Sequence, residues 1–443
     1  MYDIAEKAFK EALKHAQNVE VYMQKEETLE VDIQRDKLEV DIQRDKIDLA
    51  KEQQLTGLGL RVIEDERMGF AYTTNMERIN ETIEMAVSNL RVNEADENFK
   101  FSNPSSYPKV RGVYDKRFRD FEVFDAHRFA KRMLNKVFDE GCEPTSGGFT
   151  ASCLRTLIIN SNEVEVEYKS TGFAAHISVN AREGDFKSTA YESDSSCLMN
   201  LKPEKVSKTA CRIAKDSIGG EGVETGDFSV LLDYHAITGI LGTFTSAINA
   251  DNVQRGRSYL ADKIGETVAN PTISIYDDGK IAGGLYSAPV DDEGTPSQRT
   301  PIIEDGVLEN FIYDIYTASK GKVKSTGNGI RSSFSEIPSV STTNIVLDFG
   351  DKISFDDIKK GVLVTDVLGA HTANPVSGDF SLEANNPFFI ENGEIKYPIK
   401  KAMISGNIFN LLKDMVMVDS KIRQIGAFIT PRILVKALRV IGG

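Results

Sequence analysis

Turn dipeptides divide the second half of the chain into short apolar runs, and this pattern limits the folds that the chain can adopt. Four Asp-Gly or Asn-Gly pairs occur there, at 278–279, 305–306, 328–329 and 392–393. Such pairs adopt the backbone angles of tight hairpin turns. Together with an apolar helical stretch at 236–250, they predict a mainly β unit with a few helices.

A capping box adds a second short helix to that unit. Ser354 and Asp357 are three residues apart at the start of 355–360, the spacing in which each side chain caps the other residue's backbone N–H. We therefore predict a helix over 355–360.

The first 220 residues alternate between helical and strand periodicity. Apolar residues recur at helical spacing in four segments, 3–17, 76–91, 121–140 and 203–218. Period-two runs, at 19–23, at 57–63 and from 149 to 192, predict antiparallel strands. The predicted fold class is α+β, with N-terminal α/β layers containing antiparallel strands and a larger, mainly β C-terminal domain.

Two polar or glycine-rich segments, 95–112 and 219–226, suggest where domains meet. They give an N-terminal α+β domain at 1–105, a middle α+β domain at 106–222 and a C-terminal domain at 223–443.

A tandem repeat follows the first predicted strand. The nine residues 29–37 recur at once as 38–46. Nine is an odd number, so in one continuous strand the second copy would face the opposite side of the sheet. Either each copy forms its own strand, with a turn at 35–37, or a bulge restores the face. A surface duplication without function is favoured over a hairpin that reaches across a groove.

Charge and cysteine content exclude several classes of protein. The net charge of −14 repels nucleic acid, and no long basic stripe offsets it. No window approaches the ~18 apolar residues of a membrane-spanning helix, and the N-terminus lacks the layout of a signal peptide. The four cysteines form no Cys-x-x-Cys pair, which fits a reduced, cytoplasmic setting.

The five histidines are too dispersed for a short metal-binding motif, because no two lie within five residues of each other. His235 precedes an apolar segment that superficially resembles a zinc-peptidase helix. A zinc peptidase needs a second imidazole and an adjacent carboxylate base, whereas Ala236 follows His235. A strand-end histidine is the favoured interpretation.

Three polar loops hold the remaining candidate site residues. Asp291, Asp292 and Glu293 are suited to a metal ion, a substrate or partner contact, or a turn before Gly294, and the turn is favoured. Thr326 and Asn328 lie in a glycine-rich run that suits either an anion cradle or, preferably, a plain turn.

The third loop, 369–381, is the richest in reactive side chains. Its candidates are His371, Ser377, Asp379 and Ser381. A catalytic triad is disfavoured because triad residues normally converge from distant segments. Peptide binding and turn-building hydrogen bonds remain as alternatives.

Ten short motifs occur in a fixed order along the chain, at 56–63, 69–74, 255–258, 263–266, 290–296, 325–329, 377–381, 390–394, 404–407 and 442–443. Together and in this order, they resemble the TldD/PmbA family, historically called modulators of DNA gyrase. The resemblance covers essentially the whole chain. It implies one of two arms: TldD-like zinc peptidases with a His-Glu-x-x-x-His helix and a later cysteine, or PmbA/TldE-like members that lack both.

Counting back from Arg255 places the family's zinc helix on 241–246, give or take one residue. The ligand positions there hold Leu241 and Ser246, and the base position holds Gly242. The later cysteine is missing too, since Cys211 is the last in the chain. The resemblance therefore implies a PmbA/TldE-like chain with no catalytic residue and no metal ligand of its own.

That arm implies a non-catalytic subunit of a heteromeric zinc peptidase, with zinc in the TldD-like partner. The loops at 291–294, 326–329 and 371–381 are then candidates for contacting substrate or partner. The alternatives are a stand-alone hydrolase with an unrecognised centre, a regulatory protein acting on gyrase or a toxin–antitoxin system, and a homodimer with another role. Neither nucleic acid nor a membrane is an expected partner.

Overall fold

The computed structural model of the protein describes residues 1–34 and 46–443. Its first half forms an antiparallel sheet in the order β3-β2-β1-β4-β5-β6. The strands are β1 (Asn18–Gln34), β2 (Lys46–Glu64), β3 (Arg67–Thr73), β4 (Glu143–Asn160), β5 (Glu165–Glu183) and β6 (Phe186–Ser196). We call it the N-terminal sheet. It contains the predicted meander of strands between 149 and 192.

Four helices cover one face of the N-terminal sheet. They are α1 (Tyr2–Ala12), α2 (Ile79–Val92), α3 (Val123–Asp139) and α4 (Pro203–Asp216). Val21 of β1 packs with α1 and α2, and Val31, ten residues along the same face, packs with α3 and α4. Because side chains alternate along a strand, even-numbered residues such as Tyr22 point to the opposite face. There Tyr22 packs against Val290 and Phe334 of the C-terminal half.

The C-terminal half forms a second, larger sheet and a short hairpin. Its strands are β7 (Gly226–Leu232), β8 (Ile273–Asp278), β9 (Arg299–Glu304), β10 (Val307–Leu308), β11 (Gly329–Ile330), β12 (Ser339–Val340), β13 (Ile345–Phe349), β14 (Lys352–Ile353), β15 (Lys360–Leu368), β16 (Asp379–Glu391), β17 (Glu394–Pro398), β18 (Ala402–Asn407), β19 (Met415–Ile425) and β20 (Phe428–Gly442). Five of them close a hydrogen-bonded ring, β20-β18-β16-β15-β7, because β7 also pairs with β20. The predicted α+β fold with a larger, mainly β C-terminal part is confirmed.

Four helices belong to this half: α5 (Tyr234–Ile248), α6 (Ala250–Gln254), α7 (Ile315–Gly321) and α8 (Ile408–Asp414). The apolar side of α5 packs into the main core against the ring strands, through residues such as Ile237 and Phe244. Among the described residues, no helix is both long and apolar enough to cross a membrane.

The predicted helix over 355–360 is wrong in length. Ser354 and Asp357 do form the predicted capping box, but the helix is a single 3-10 turn over Phe355–Asp357. Lys360 already begins β15, where pairing with β7 and β16 supplies the backbone hydrogen bonds that a longer helix would otherwise make.

Two predictions about organisation stay open. The boundary at 105/106 falls in a segment without helix or strand, yet the N-terminal sheet takes strands from both sides of it. The boundaries 1–105, 106–222 and 223–443 therefore remain predictions. The first repeat copy ends β1, but residues 35–45, which include the predicted turn and nearly all of the second copy, lie outside the described residues.

Candidate functional site

Helix α5 carries the segment predicted to match the zinc helix. Asp233 begins the helix by accepting a 2.8 Å hydrogen bond from the backbone N–H of Tyr234. Leu241 is fully buried in the core, whereas Gly242 is exposed, with open space where a Cβ would lie. Ser246 is half-buried.

These residues do not fit a zinc ion. Protein zinc sites use cysteine, histidine, aspartate or glutamate side chains. The side chain of Leu241 is apolar and turned into the core, and Gly242 has none. Among residues 1–34 and 46–443, no three His, Cys, Asp or Glu side chains are grouped so as to hold a metal ion. That the chain binds no metal nonetheless stays a prediction.

His235 is the second residue of α5, so its expected place at a strand end is wrong. Its Nε2 lies 2.9 Å from Glu192 Oε1 on β6, and its ring meets that of Tyr191 edge to face. Arg423 on β19 donates to the same Glu192 oxygen at 3.0 Å. Burial works against the charge on Glu192, but the hydrogen bond from His235 and the Arg423 guanidinium outweigh it and lower its pKa to about 2. His235 thus belongs to a hydrogen-bonded network centred on Glu192.

The loop at 369–381 lies beside α5. Residues 370–372 form a 3-10 turn after β15, and a Cβ on Gly239 of α5 would lie 2.9 Å from Val367 and 3.7 Å from Ala370. His371 is exposed, and its side chain makes no hydrogen bond to any part of the chain that the structure describes. This loop is the predicted site segment that reaches the surface.

Within this loop Ser377 and Asp379 form a local network. The Ser377 hydroxyl donates to Asp379 Oδ2 at 2.7 Å, and the Asn407 amide donates to Asp379 Oδ1 at 2.8 Å. These two hydrogen bonds lower the pKa of Asp379. Because serine bonds the carboxylate directly, His371 does not lie between them as a triad would require. Ser381 is exposed on β16.

The acidic segment 291–293 is interior. Asp291 accepts three backbone N–H groups, from Gly329, Thr295 and Glu293, at 2.8–3.0 Å. Burial and the nearby Glu293 raise its pKa, and the three N–H donors act in the opposite direction. Such a carboxylate fixes a turn, as the favoured interpretation had it.

Asp292 and Glu293 join the two halves of the molecule. Asp292 accepts hydrogen bonds from the hydroxyls of Tyr22 and Tyr168 on the N-terminal sheet, at 3.0 and 3.3 Å. Glu293 lies 3.4 Å from Arg61 of β2. Burial raises the pKa of Glu293 to about 7, although the Arg61 guanidinium opposes that shift.

Two arginines and Glu20 complete this group, which we call the buried ionic cluster: Glu20, Arg61, Asp291, Asp292, Glu293 and Arg331. Arg61 pairs with both oxygens of Glu20 at 2.7 Å, and Arg331 reaches Glu20 at 2.5 Å. Burial works against the charge on Arg61, but the Glu20 carboxylate outweighs it and raises the pKa of Arg61.

Thr326 and Asn328 are also buried, beside the cluster. The Thr326 hydroxyl donates to Asn328 Oδ1 at 2.7 Å, and the Asn328 amide donates to Asp277 Oδ1 and to the Ser341 carbonyl, each at 2.9 Å. The side chains of the two segments therefore form hydrogen bonds inside the protein. A contact with a substrate or partner remains a prediction for Asp291, Asp292, Glu293, Thr326 and Asn328.

Sequence reasoning missed Glu20, Arg61, Arg331, Glu192 and Arg423. Glu20 and Arg61 did leave a signal, because each is a charge inside an apolar strand run, between Val19 and Val21 and between Leu60 and Val62. A charge at such a position is expected to be paired when it is buried. The sequence near such a charge does not show which residue pairs with it, because Arg331, for example, lies 311 residues from Glu20.

Comparison with known proteins identifies the family. Three sequence profiles match, described as PmbA/TldA metallopeptidase domain 1 at 19–90, the central domain at 116–218 and the C-terminal domain at 225–442. An uncharacterised protein of Methanocaldococcus jannaschii is 34% identical over 381 residues, covering 86% of this chain and 88% of that one. The protein named metalloprotease PmbA of Escherichia coli O157:H7 is 26% identical, covering 84% of each chain.

Solved structures share the fold over nearly the full length. A protein described as a modulator of a DNA gyrase from Thermotoga maritima matches with a TM-score of 0.88 and 28% identity, covering 99% of both chains. TldE from Thermococcus kodakarensis matches with a TM-score of 0.91 and 23% identity, covering 99% of this chain and 100% of that one, and this likeness concerns the fold alone. On the three matching profiles and the archaeal relative, this chain belongs to the PmbA/TldD metallopeptidase family.

Proposed function

We propose that this chain is a PmbA/TldE-like subunit without a zinc centre of its own, which works with a TldD-like zinc peptidase. In that complex it shapes the groove that takes a peptide or an unfolded protein. One observation carries the proposal: the α5 positions that counting back from Arg255 assigns to the zinc helix, give or take one residue, hold Leu241, Gly242 and Ser246. A metallopeptidase needs ligands and a carboxylate base there.

The region of the third expected zinc ligand, a cysteine near the C-terminus, supports the same proposal. In the TldD-like arm a cysteine is expected near the C-terminus, in the region that corresponds to 418–426 here. That region is β19 and the turn after it, and it contains no cysteine. Cys211 is buried in α4, on the helix-covered side of the N-terminal sheet.

Overall identity does not separate the two arms. The protein named metalloprotease TldD homolog of Buchnera aphidicola is 26% identical over 395 residues, and the PmbA of Escherichia coli O157:H7 is 26% identical over 403 residues. The choice between the arms therefore rests on the ligand positions.

The exposed loop at 369–381 is the favoured surface for peptide contact in this proposal. His371, Asp379 and Ser381 are exposed, and Ser377 is half-buried. Backbone and side-chain groups on such a loop can form hydrogen bonds with the main chain of an extended peptide and so hold it. The loop is anchored at Gly378, whose carbonyl accepts the backbone N–H of Ile408 on α8.

The test combines metal content with reconstitution. Elemental mass spectrometry of the pure chain should find less than about 0.1 zinc per chain, since Leu241, Gly242 and Ser246 offer no side chain that proteins use to bind zinc. Peptidase activity should appear only after a TldD-like subunit from the same genome is added, and a chelator should remove it. Changing the zinc-helix glutamate of that subunit to glutamine should abolish activity, whereas Ser246→Ala in this chain should leave it intact.

Three results would contradict the proposal. Zinc near one per chain would contradict the assignment of the ligand positions. Chelator-resistant peptidase activity of the pure chain would favour a stand-alone hydrolase. Failure to bind any TldD-like subunit, combined with capture of a topoisomerase or an antitoxin by the pure chain, would favour a regulatory role. Light scattering of the pure chain separately tests whether it forms a homodimer.

A further inference from the structure

A cavity of about 600 Å³ lies between the edge of the N-terminal sheet and the start of α5. Its walls come from β6, α4, α5, β19 and β20. The lining residues used below are Glu192, Asp194, Lys205, Asp233, Lys421 and Arg423. None of the predicted site residues lines it.

The chemistry of the walls narrows the class of ligand. Only three lining residues, Val206, Ile213 and Ile422, are aliphatic, and Tyr234 is the one aromatic residue, so the cavity does not suit a lipid. Its volume falls within the range of roughly 300–1,000 Å³ that holds drug-sized ligands. A ligand matching it is polar and charged, and the cavity has room for one larger than a single amino acid.

The cavity is held in shape by contacts between the two halves of the protein. Arg423 donates to Glu192 at 3.0 Å and to the Ser193 carbonyl at 2.9 Å, which ties β19 to β6. The Tyr234 hydroxyl donates to the Lys421 carbonyl at 3.0 Å and ties α5 to β19. A preformed cavity does not have to be ordered when a ligand binds, which favours affinity.

Four charges on the walls are left without ion pairs. Arg432 pairs with Asp419, and Arg212 pairs with Asp216 outside the lining set. In contrast, four lining residues form no ion pair with any residue in 1–34 and 46–443. They are the acids Asp194 and Asp233 and the bases Lys205 and Lys421. Each of the two aspartates accepts only the backbone N–H of the residue that follows it.

Two carboxylates that form no ion pair, although both lie in the field of Arg423, and two exposed ammonium groups line the cavity. Together they complement a ligand that carries both charges. We propose that this cavity binds a short peptide with free termini, its ammonium group at Asp233 and Asp194 and its carboxylate at Lys205 and Lys421. Charge-assisted hydrogen bonds at both ends would orient the peptide across the cavity. The choice of a peptide over a free amino acid rests on the cavity volume and on the proposed function. The inference that the ligand carries both an ammonium group and a carboxylate rests only on the charges of the lining residues.

Calorimetric titration of the full-length chain tests the proposal. The probes are trialanine, N-acetyl-trialanine, trialanine amide and free alanine. Trialanine should bind at least about tenfold more tightly than either blocked peptide, because each block removes one charged group. It should also bind more tightly than alanine, whereas equal or tighter binding of alanine would assign the cavity to free amino acids and overturn the peptide proposal.

Two variants locate the two ends. Asp233→Asn removes the charge but keeps an amide oxygen that caps α5, so the helix start is preserved. It should weaken binding of trialanine and of the amide about tenfold, and leave the acetylated peptide unaffected. Lys421→Gln should weaken trialanine and the acetylated peptide, and leave the amide unaffected. Lys413→Gln on α8, an exposed lysine outside the cavity, is the matched control and should change nothing.

Equal affinity for free and blocked peptides, or no binding of trialanine at millimolar concentration, would overturn this inference. Neither result touches the proposed function, because zinc content and partner-dependent activity are measured separately. Conversely, a chain that binds trialanine but contains zinc keeps the cavity and loses the proposed function.

Discussion

The segments 291–294 and 377–379 look alike in sequence but differ in environment. Both combine aspartate with a glycine in a turn, and both glycines, Gly294 and Gly378, have positive φ angles. Asp291 is buried and bonded to three backbone N–H groups, whereas Asp379 is exposed and bonded to two side chains. An acidic turn therefore does not by itself indicate whether its carboxylates face solvent.

What separates the two segments is the surface that packs against each. The segment at 291–293 lies against Tyr22, Arg61 and Tyr168 of the N-terminal sheet, whose helix-free face it helps to cover. The loop at 369–381 lies against α5 and α8 and is left open on its other side. Long-range packing thus makes one segment structural and leaves the other available for binding.

The buried ionic cluster also has more acids than bases. Four carboxyl groups, those of Glu20, Asp291, Asp292 and Glu293, face two arginines, Arg61 and Arg331. Isolated buried charges cost several kcal/mol, so surplus carboxyl groups hold protons more tightly instead. Consistent with this, burial raises the pKa values of Asp291, Asp292 and Glu293.

Arg331→Met is expected to have the largest effect. Its guanidinium is fully buried and pairs with Glu20 at 2.5 Å, so its loss leaves a buried carboxylate with one cation fewer. Breaking such a pair costs roughly 3–5 kcal/mol of unfolding free energy. Urea unfolding, followed by far-UV circular dichroism and by tyrosine fluorescence because the chain has no tryptophan, measures the loss.

The matched control is Arg78→Met, which removes an exposed ion pair with Glu81 on α2. Exposed pairs contribute little to stability, so the unfolding midpoint should stay in place. If both variants shifted the midpoint equally, burial would not be what distinguishes the cluster.

Glu293→Gln is expected to change how stability depends on pH. The pKa of Glu293 is about 7 in the folded protein, against about 4.3 for an unfolded chain. Between those values the folded state binds more protons than the unfolded state, so stability falls as pH rises. The contribution of Glu293 to the free energy of unfolding is complete below about pH 4.3. It is lost as the pH passes 7, a change on the order of 3–4 kcal/mol.

Urea midpoints at pH 5, 6, 7 and 8 test this. The wild-type curve should fall more steeply than that of Glu293→Gln, which cannot titrate at this position. Asp379→Asn in the exposed loop is the contrast, and its curve should run parallel to that of the wild type between pH 5 and 8. Parallel wild-type and Glu293→Gln curves would assign the pH dependence to other groups.

Much of the fold follows from local periodicity. The alternating run after residue 149 and the helical spacing of 203–218 predict β4 to β6 and α4, since each pattern reports which side of an element is buried. The helix predicted over 355–360 is too long, because the capping box that predicts its start is visible in the local sequence whereas its end is not. The helix ends early because the strand that begins at Lys360 pairs with β7, more than 120 residues earlier.

The candidate site was less accessible to sequence reasoning. The motif 290–296 pointed to the acidic segment, but its burial depends on Tyr22 and Arg61, which pair with it across more than 200 residues. The charges that line the cavity share this property, because Asp194 and Lys421 line the same cavity only when β6 and β19 come together. Spacing along the chain carries no information about either arrangement.

Asn328→Ala is expected to have an intermediate effect. The change removes the amide that bonds Asp277 and the Ser341 carbonyl, and it leaves buried polar groups with fewer partners. Such losses cost roughly 1–3 kcal/mol of unfolding free energy. Asn374→Ala in the exposed loop is the control and should stay within about 0.5 kcal/mol of the wild type. Equal losses would mean that the two segments are equally structural.

His371→Ala is expected to have the smallest effect on stability and to bear most directly on function. Its exposed side chain makes no hydrogen bond within the described residues, so the urea midpoint should not move. If the loop holds peptide, the reconstituted complex should lose about three- to tenfold in kcat/KM, as expected for one lost polar contact. Asn328→Ala should show the opposite pattern, reduced stability with near-normal activity at low temperature. Unchanged activity in His371→Ala would exclude His371 from substrate contact and would favour the cavity at Asp233, beside the start of α5, as the peptide-binding surface.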